Sequence, residues 1–391
     1  MGNIQVIDGA KSSQVSKQFG AVAFKFKGGF YKLINIGFAG GVKVALRFGF
    51  TPYNTVDLNM FVRSRPAISA ILVFLGILSS ITDAIGVCYV GDSLESRQEV
   101  VELYKRNDIS RMRIYFPDEE ALEALRGSNI ELIMDVAKET IHSLTDPKVA
   151  IDWVNKYVTP YSQDVKFKYI SVGNEIHPGD NETQYILSAM TNIHNAISLA
   201  NLQARIKVST AIDTSLIGAS YPPSAGDFTM LAKPYMKPII EFLVSTEAPI
   251  LANVYPYFSY ASDPSNIGLD YALFTQQANN SVGYQNLFDA MMDAIYGALE
   301  KVGASSLQIV VSETGWPSKG EFTSAKDAST YYTKLINHVS SGIGTPKRPG
   351  RYIETYLFSM FNGNQKQDRD NKQFFGLFSP DKSPNYQLSF N

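Results

Sequence analysis

Between residues 85 and 391 the chain alternates between two patterns: short, nearly continuous apolar runs, and longer stretches in which apolar side chains recur every three or four positions. The short runs fall at 85–90, 111–116, 131–137, 167–175, 205–212, 250–258, 307–313 and 352–362. They have the length of strands, and strands covered on both faces must be apolar nearly throughout. Helical patterns lie between them, the clearest at 284–302, where Leu287, Met291, Ile295, Ala298 and Val302 share one face. Regular strand and helix alternation implies parallel strands joined by crossovers. Eight such runs over this length fit an α/β fold, a single (β/α)8 TIM barrel. A doubly wound open sheet is the competing arrangement, but no G-x-G-x-x-G turn follows the first run.

The front of the chain differs. Residues 1–59 contain no Glu and show no sustained period of either 3.6 or 2, so the pattern predicts no packed element there. From Met60 the sequence supplies a basic start with Arg63 and Arg65, an apolar stretch over 66–78, and small residues ending at Ala84. That is the order of a secretory signal peptide, and the apolar part is short of the roughly 20 residues a membrane span needs. The expected organisation is therefore an unstructured or over-extended leader at 1–59, a signal peptide at 60–84 and one catalytic domain at 85–391, with a secreted location and no stable membrane association.

Charge then changes the picture. The whole chain carries a formal charge of -2, but residues 1–84 hold 9 of the 35 Lys+Arg and 3 of the 37 Asp+Glu, which leaves 26 against 34, or -8, for the rest. An acidic domain without a basic tract offers nothing to a phosphate backbone, so nucleic acid is not an expected partner. With four His and one Cys and no metal-ligand spacing, neither a metal nor another cofactor is expected, and Cys88 reads as a buried apolar residue. The sequons at Asn181-Glu-Thr183 and Asn279-Asn-Ser281 are compatible with secretion.

In a barrel the active site lies at the carboxyl ends of the strands. The fourth run closes on Gly-Asn174-Glu175, and the seventh on Ser312-Glu313 before Thr-Gly-Trp316-Pro317. Glycoside hydrolysis needs two carboxyl groups facing one cleft, one protonated and one ionised. A lone Glu at a strand end is ordinarily a solvated or ion-paired residue; two on strands four and seven leave the two readings level.

A resemblance decides between them. The stretch Val310-Val-Ser-Glu313-Thr-Gly-Trp316-Pro-Ser-Lys-Gly320 resembles the nucleophile signature of glycoside hydrolase family 17, the plant-type β-1,3-glucanases and their 1,3-1,4-glucanase relatives. The likeness extends through Ile85-Gly-Val-Cys88-Tyr89, Arg111-Met-Arg113-Ile-Tyr115, Val172-Gly-Asn174-Glu175 and Asn253-Val-Tyr255-Pro-Tyr257-Phe258, and covers essentially all of 85–391. It implies retaining endo-hydrolysis of β-1,3-glucan such as callose or fungal wall glucan, by a monomer acting in plant defence or wall remodelling. A 1,3-1,4-glucanase, a transglucosylase and a weakened glucan-binding homologue are the alternatives.

By the same resemblance Glu175 is the acid/base and Glu313 the nucleophile. Asn174 is placed for a sugar 2-hydroxyl, and Asn253 belongs to the substrate-binding set. Tyr115 and Tyr255 either orient the nucleophile or simply pack at the rim; Phe258 and Trp316 either stack on sugar faces or belong to the core. Lys366 completes the expected substrate-binding residues. Gly363 stands where the family carries Glu, which removes a carboxylate near that lysine.

Overall fold

A computed structural model of the chain describes residues 85–91, 96–363 and 373–390 in full, and before them the backbone of strands between Gln5 and Val62. The chain divides into two units, Met1–Asp83 and Ala84–Phe390. In the first, Phe19–Lys25 pairs antiparallel with both Gln5–Ile7 and Tyr31–Gly37, and Val42–Thr51 pairs with Asn54–Val62. This corrects the reading of no sustained period there: Val42, Val44, Leu46 and Phe48 alternate with Lys43, Ala45, Arg47 and Gly49, and Val56, Leu58 and Met60 with Asp57 and Asn59, the period of two that a strand carries. Beyond Val62, the residues read as a signal peptide lie outside the described residues.

The second unit is built on a closed barrel of eight parallel strands: β1 (Ile85–Tyr89), β2 (Arg111–Ile114), β3 (Glu131–Asp135), β4 (Lys166–Asn174), β5 (Lys207–Asp213), β6 (Ile250–Asn253), β7 (Ile309–Thr314) and β8 (Thr355–Leu357). Each strand pairs with the next, and β8 returns to β1 through Thr355 opposite Ile85. The outer helices are α1 (Arg97–Arg106), α2 (Glu119–Leu125), α3 (Pro147–Tyr157), α4 (Ile186–Leu199), α5 (Ala232–Ser245), α6 (Leu287–Lys301) and α7 (Ala325–Ser340). No helix follows β8 among the described residues.

Local chemistry fixes the ends that the apolar pattern leaves loose. The run at 250–258 stops being strand at Asn253, because Pro256 opens a short helix, Pro256–Ser262, whose first turn tolerates its missing N–H. Helix α6 starts after Asn286, whose side chain accepts from the Asp289 N–H. At the amino-terminal mouth, Arg111 donates to Glu131 at 2.7 Å, while Lys168 reaches Glu131 at 2.9 Å and Glu354 at 3.1 Å. This network ties β2, β3 and β4 to the segment entering β8. Gly86 is required where β1 meets β8, since a Cβ there would lie 2.4 Å from the Tyr356 ring.

Candidate active site

The opposite mouth carries the chemistry. Strand registers shift between Ala252 and Asn253 against β7, and between Ser209 and Ala211 against β4, so that Asn253 lies opposite Glu313 and Ala211 opposite Asn174. Such irregularities at a barrel rim re-aim side chains. Glu175, just past β4, has φ +53 and its backbone N–H donates to the Ala211 carbonyl at 2.9 Å. A non-glycine residue in the left-handed region costs about 1–3 kcal/mol and persists where its surroundings over-determine it.

Glu313 is 1% exposed and its carboxylate is held from both sides. Its Oε1 accepts from the Tyr115 hydroxyl at 2.7 Å and from Arg113 Nη1 at 3.1 Å, and its Oε2 accepts from the Tyr255 hydroxyl at 2.7 Å. Burial pushes both phenols well above their usual range, and the Glu313 charge adds to it, so each stays a neutral donor. Donors on both carboxylate oxygens fix its orientation.

Asn253 bonds one carboxyl group directly and reaches the other through Arg113, whose Nη1 faces both Asn253 Oδ1 at 3.2 Å and Glu313 Oε1 at 3.1 Å. It is buried, its Nδ2 donates to Glu175 Oε1 at 2.8 Å and to Asn174 Oδ1 at 3.0 Å, and its Oδ1 accepts from Ser312 Oγ at 2.8 Å. The structure thus brings Tyr115, Asn174, Glu175, Asn253, Tyr255 and Glu313 into one hydrogen-bonded cluster, although they come from β2, β4, β6, β7 and the turns that follow them.

Arg113 and Asp135 belong to the same cluster and were not among the expected site residues. Arg113 is fully buried, and burial opposes its charge, but Asp135, Tyr115 and Glu313 outweigh that and hold its pKa above the usual range. Burial pushes Asp135 up to about 6, against the pull of Arg113. A sequence signal existed for each: a charged residue at position three of Arg-Met-Arg113-Ile, and another closing the apolar run Leu132-Ile-Met-Asp135. Cys88 is buried as expected, 3.4 Å from the Ser312 carbonyl, and burial pushes its thiol pKa up. An inert thiol follows.

Phe258 is 36% exposed and stands with Tyr257, Lys319, Glu321, Phe322 and Phe374 around a cavity of about 460 Å³. Its ring lies 5.2 Å from that of Tyr255, so the cavity borders the carboxylate cluster. Trp316 requires a correction. Its side chain has no exposure, its indole N–H donates to Thr323 Oγ1 at 2.8 Å, and its ring packs against Tyr257, Tyr260 and Tyr331. A ring enclosed on every side cannot stack on a sugar, so Trp316 supports the wall behind the site. Gly363 donates its backbone N–H to the Gln373 carbonyl at 3.0 Å, and Lys366 lies outside the described residues.

Two carboxyl groups at the strand ends of a closed parallel barrel, linked through the buried Asn253 amide and the Arg113 guanidinium, define a glycosidase-type site on a (β/α)8 scaffold. The chain belongs to glycosyl hydrolase family 17: the family model described as Glycosyl hydrolases family 17 matches residues 85–390. A glucan endo-1,3-beta-glucosidase of Glycine max is 68% identical over 253 residues, which cover 64% of this chain and 98% of that protein. Glucan endo-1,3-beta-glucosidase A of Solanum lycopersicum is 50% identical over 329 residues, 82% of this chain and 97% of that one. Among solved structures, CJP38, a beta-1,3-glucanase and allergen of Cryptomeria japonica pollen, is similar with a TM-score of 0.75 and 43% identity, over 78% of this chain and 99% of that one. A structure described with two plant beta-glucan endohydrolases of distinct substrate specificities gives a TM-score of 0.74 and 41% identity over the same shares, 78% and 99%.

Proposed function

We propose that this protein is an endo-acting hydrolase of β-1,3-glucans that works with retention of configuration. The observation that carries the reading is the environment of Glu313: a buried carboxylate fixed in orientation by Arg113, Tyr115 and Tyr255. In the first step Glu313 attacks the anomeric carbon while Glu175 passes its proton to the departing glycosidic oxygen; the carbon–oxygen bond breaks as the ester forms. In the second, Glu175 takes a proton from water, whose oxygen attacks the same carbon and releases Glu313. Asn174 is placed to bond the sugar 2-hydroxyl, and Phe258 to line the groove. Family membership supports the β-1,3 linkage, as do the Glycine max and Solanum lycopersicum relatives, both glucan endo-1,3-beta-glucosidases by name.

The reading extends to a secreted monomer acting on wall glucan in defence or remodelling, on the strength of the signal-like sequence from Met60 to Ala84. Among the described residues no helix is long and apolar enough to cross a membrane. The test is product analysis on laminarin, mixed-linkage glucan and linear oligosaccharides, with Glu175→Gln and Glu313→Gln alongside. Short β-1,3-linked products of retained configuration, lost in both variants, are expected. Preference for mixed-linkage glucan would move the assignment to a 1,3-1,4-glucanase, longer products than substrates to a transglucosylase, and binding without turnover to a glucan-binding homologue.

A further inference from the structure

Arg113 lies between two carboxyl groups. Its Nε and Nη2 face Asp135 Oδ1 and Oδ2 at 3.2 and 2.7 Å, and its Nη1 faces Glu313 Oε1 at 3.1 Å. Nη1 also reaches Asn253 Oδ1 at 3.2 Å, and Nη2 reaches Asn174 Oδ1 at 2.9 Å. Arg113 is 0% exposed, Asp135 2% and Glu313 1%, so all three charges are shielded from water. The groups around them are Cys88 from β1, Tyr115 after β2, Glu175 after β4 and Tyr255 after β6; the thiol and both phenols are held neutral by burial.

In the free enzyme a buried cation with two carboxylates has one more partner than it needs. The covalent step changes this. Once Glu313 is esterified its oxygen is uncharged, and Arg113 loses one of its two counter-charges in a site where an unpaired buried cation is strongly unfavourable. We propose that Asp135 is a positioning residue that serves as the standing counter-ion of Arg113 during the glycosyl-enzyme stage, so that its contribution falls on the formation and lifetime of the intermediate. The proposal rests on Glu313 being the nucleophile. Its geometry is the forked Arg113–Asp135 contact, which is independent of Glu313 and survives esterification. The pKa of Asp135 is raised by burial, with the Glu313 charge adding to it, so loss of that charge on esterification acts toward ionised Asp135. Bond changes remain those of the first step, and Asp135 exchanges no group with the substrate.

The variant Asp135→Asn keeps the size and one acceptor oxygen. It leaves Glu313 as counter-ion in the free enzyme, so folding is preserved. The probe is 2,4-dinitrophenyl 2-deoxy-2-fluoro-β-laminaribioside, with release of dinitrophenolate reporting glycosylation, mass spectrometry reporting the label, and reactivation by added laminaribiose reporting its loss. The expected result is labelling of Asp135→Asn that is slower by about 100-fold or more, with the trapped ester reactivating faster than in the parent protein. A structural role alone would slow both steps together or lower Tm without changing their ratio, and that outcome overturns the proposal. Unchanged labelling and reactivation overturn it as well. Labelling of the parent protein at a residue other than Glu313 would overturn the nucleophile assignment itself, which separates the two failures.

Discussion

Replacing Tyr255 by Phe removes one hydroxyl and leaves the ring where it was. The ring packs at 5.2 Å from Phe258, 6.4 Å from Phe358 and 5.9 Å from Phe375, contacts that do not involve the oxygen. What disappears is the 2.7 Å bond to Glu313 Oε2. A hydrogen bond to a charged group contributes about 1.5–3 kcal/mol, which sets the scale of what its loss costs: a factor of about 10 to 150 in rate. The sign is fixed: without this donor the Glu313 carboxylate is held less firmly in one orientation, so the reaction that depends on that orientation slows. On laminarin kcat/KM should therefore fall by about 10- to 150-fold, with the loss in kcat rather than in KM. The assay is reducing-sugar release from laminarin for both proteins, with Tm measured alongside to separate unfolding from loss of positioning. Equal kcat/KM with equal Tm would refute the claim that this hydroxyl positions Glu313.

Further outcomes follow from burial and exposure. Trp316→Ala should lower stability by about 3–5 kcal/mol in chemical denaturation, whereas Trp316→Phe, if folded, should leave KM for laminarin within about twofold, because the ring supports the wall and does not face the groove. Phe258→Ala should raise KM by about 2- to 10-fold with little change in Tm, as expected for a half-exposed aromatic that meets a sugar face. Asp135, raised to about 6 when folded from 3.8, binds a proton in the folded state at a pH where the unfolded chain has lost it. Its contribution to stability is fully present below about pH 4 and is lost as pH rises through 6, so Tm against pH should be flatter across that window in Asp135→Asn than in the parent protein.

Periodicity was enough for the barrel. Eight apolar runs separated by helical patterns admit few arrangements, and the run at 167–175 maps onto β4 to within a residue at each end because Phe167, Tyr169, Ile170 and Val172 form its buried body, with the lysines at its entry and Gly173 at its exit marking the ends. The candidate pair was legible for a related reason: Glu175 and Glu313 are polar residues ending apolar strands, where a barrel places its chemistry, and the family-like segment around Glu313 decided what position alone left level. The ends of elements were less legible, as at 250–258, where Pro256 and the following helix interrupt what hydropathy alone reads as continuous. At the amino terminus the alternation of Val42, Val44, Leu46 and Phe48 with Lys43, Ala45, Arg47 and Gly49 is a strand signal, short enough to be passed over when a period is sought over the whole segment.

What required the tertiary structure is contact between residues far apart in the chain. Asn253 lies 78 positions from Glu175, and Arg113 lies 200 from Glu313, yet each pair is bonded across the barrel mouth. No local pattern encodes those distances, since they arise from closing β8 onto β1 and from register shifts at the rim. Trp316 shows the same limit from the other side. In sequence it is a Trp three residues from Glu313, equally suited to a sugar face or a core, and only the rings of Tyr257, Tyr260 and Tyr331 around it decide for the core. Residue type and spacing select the chemistry available to this protein; packing across the barrel determines which side chains share a site and which are shut away from it.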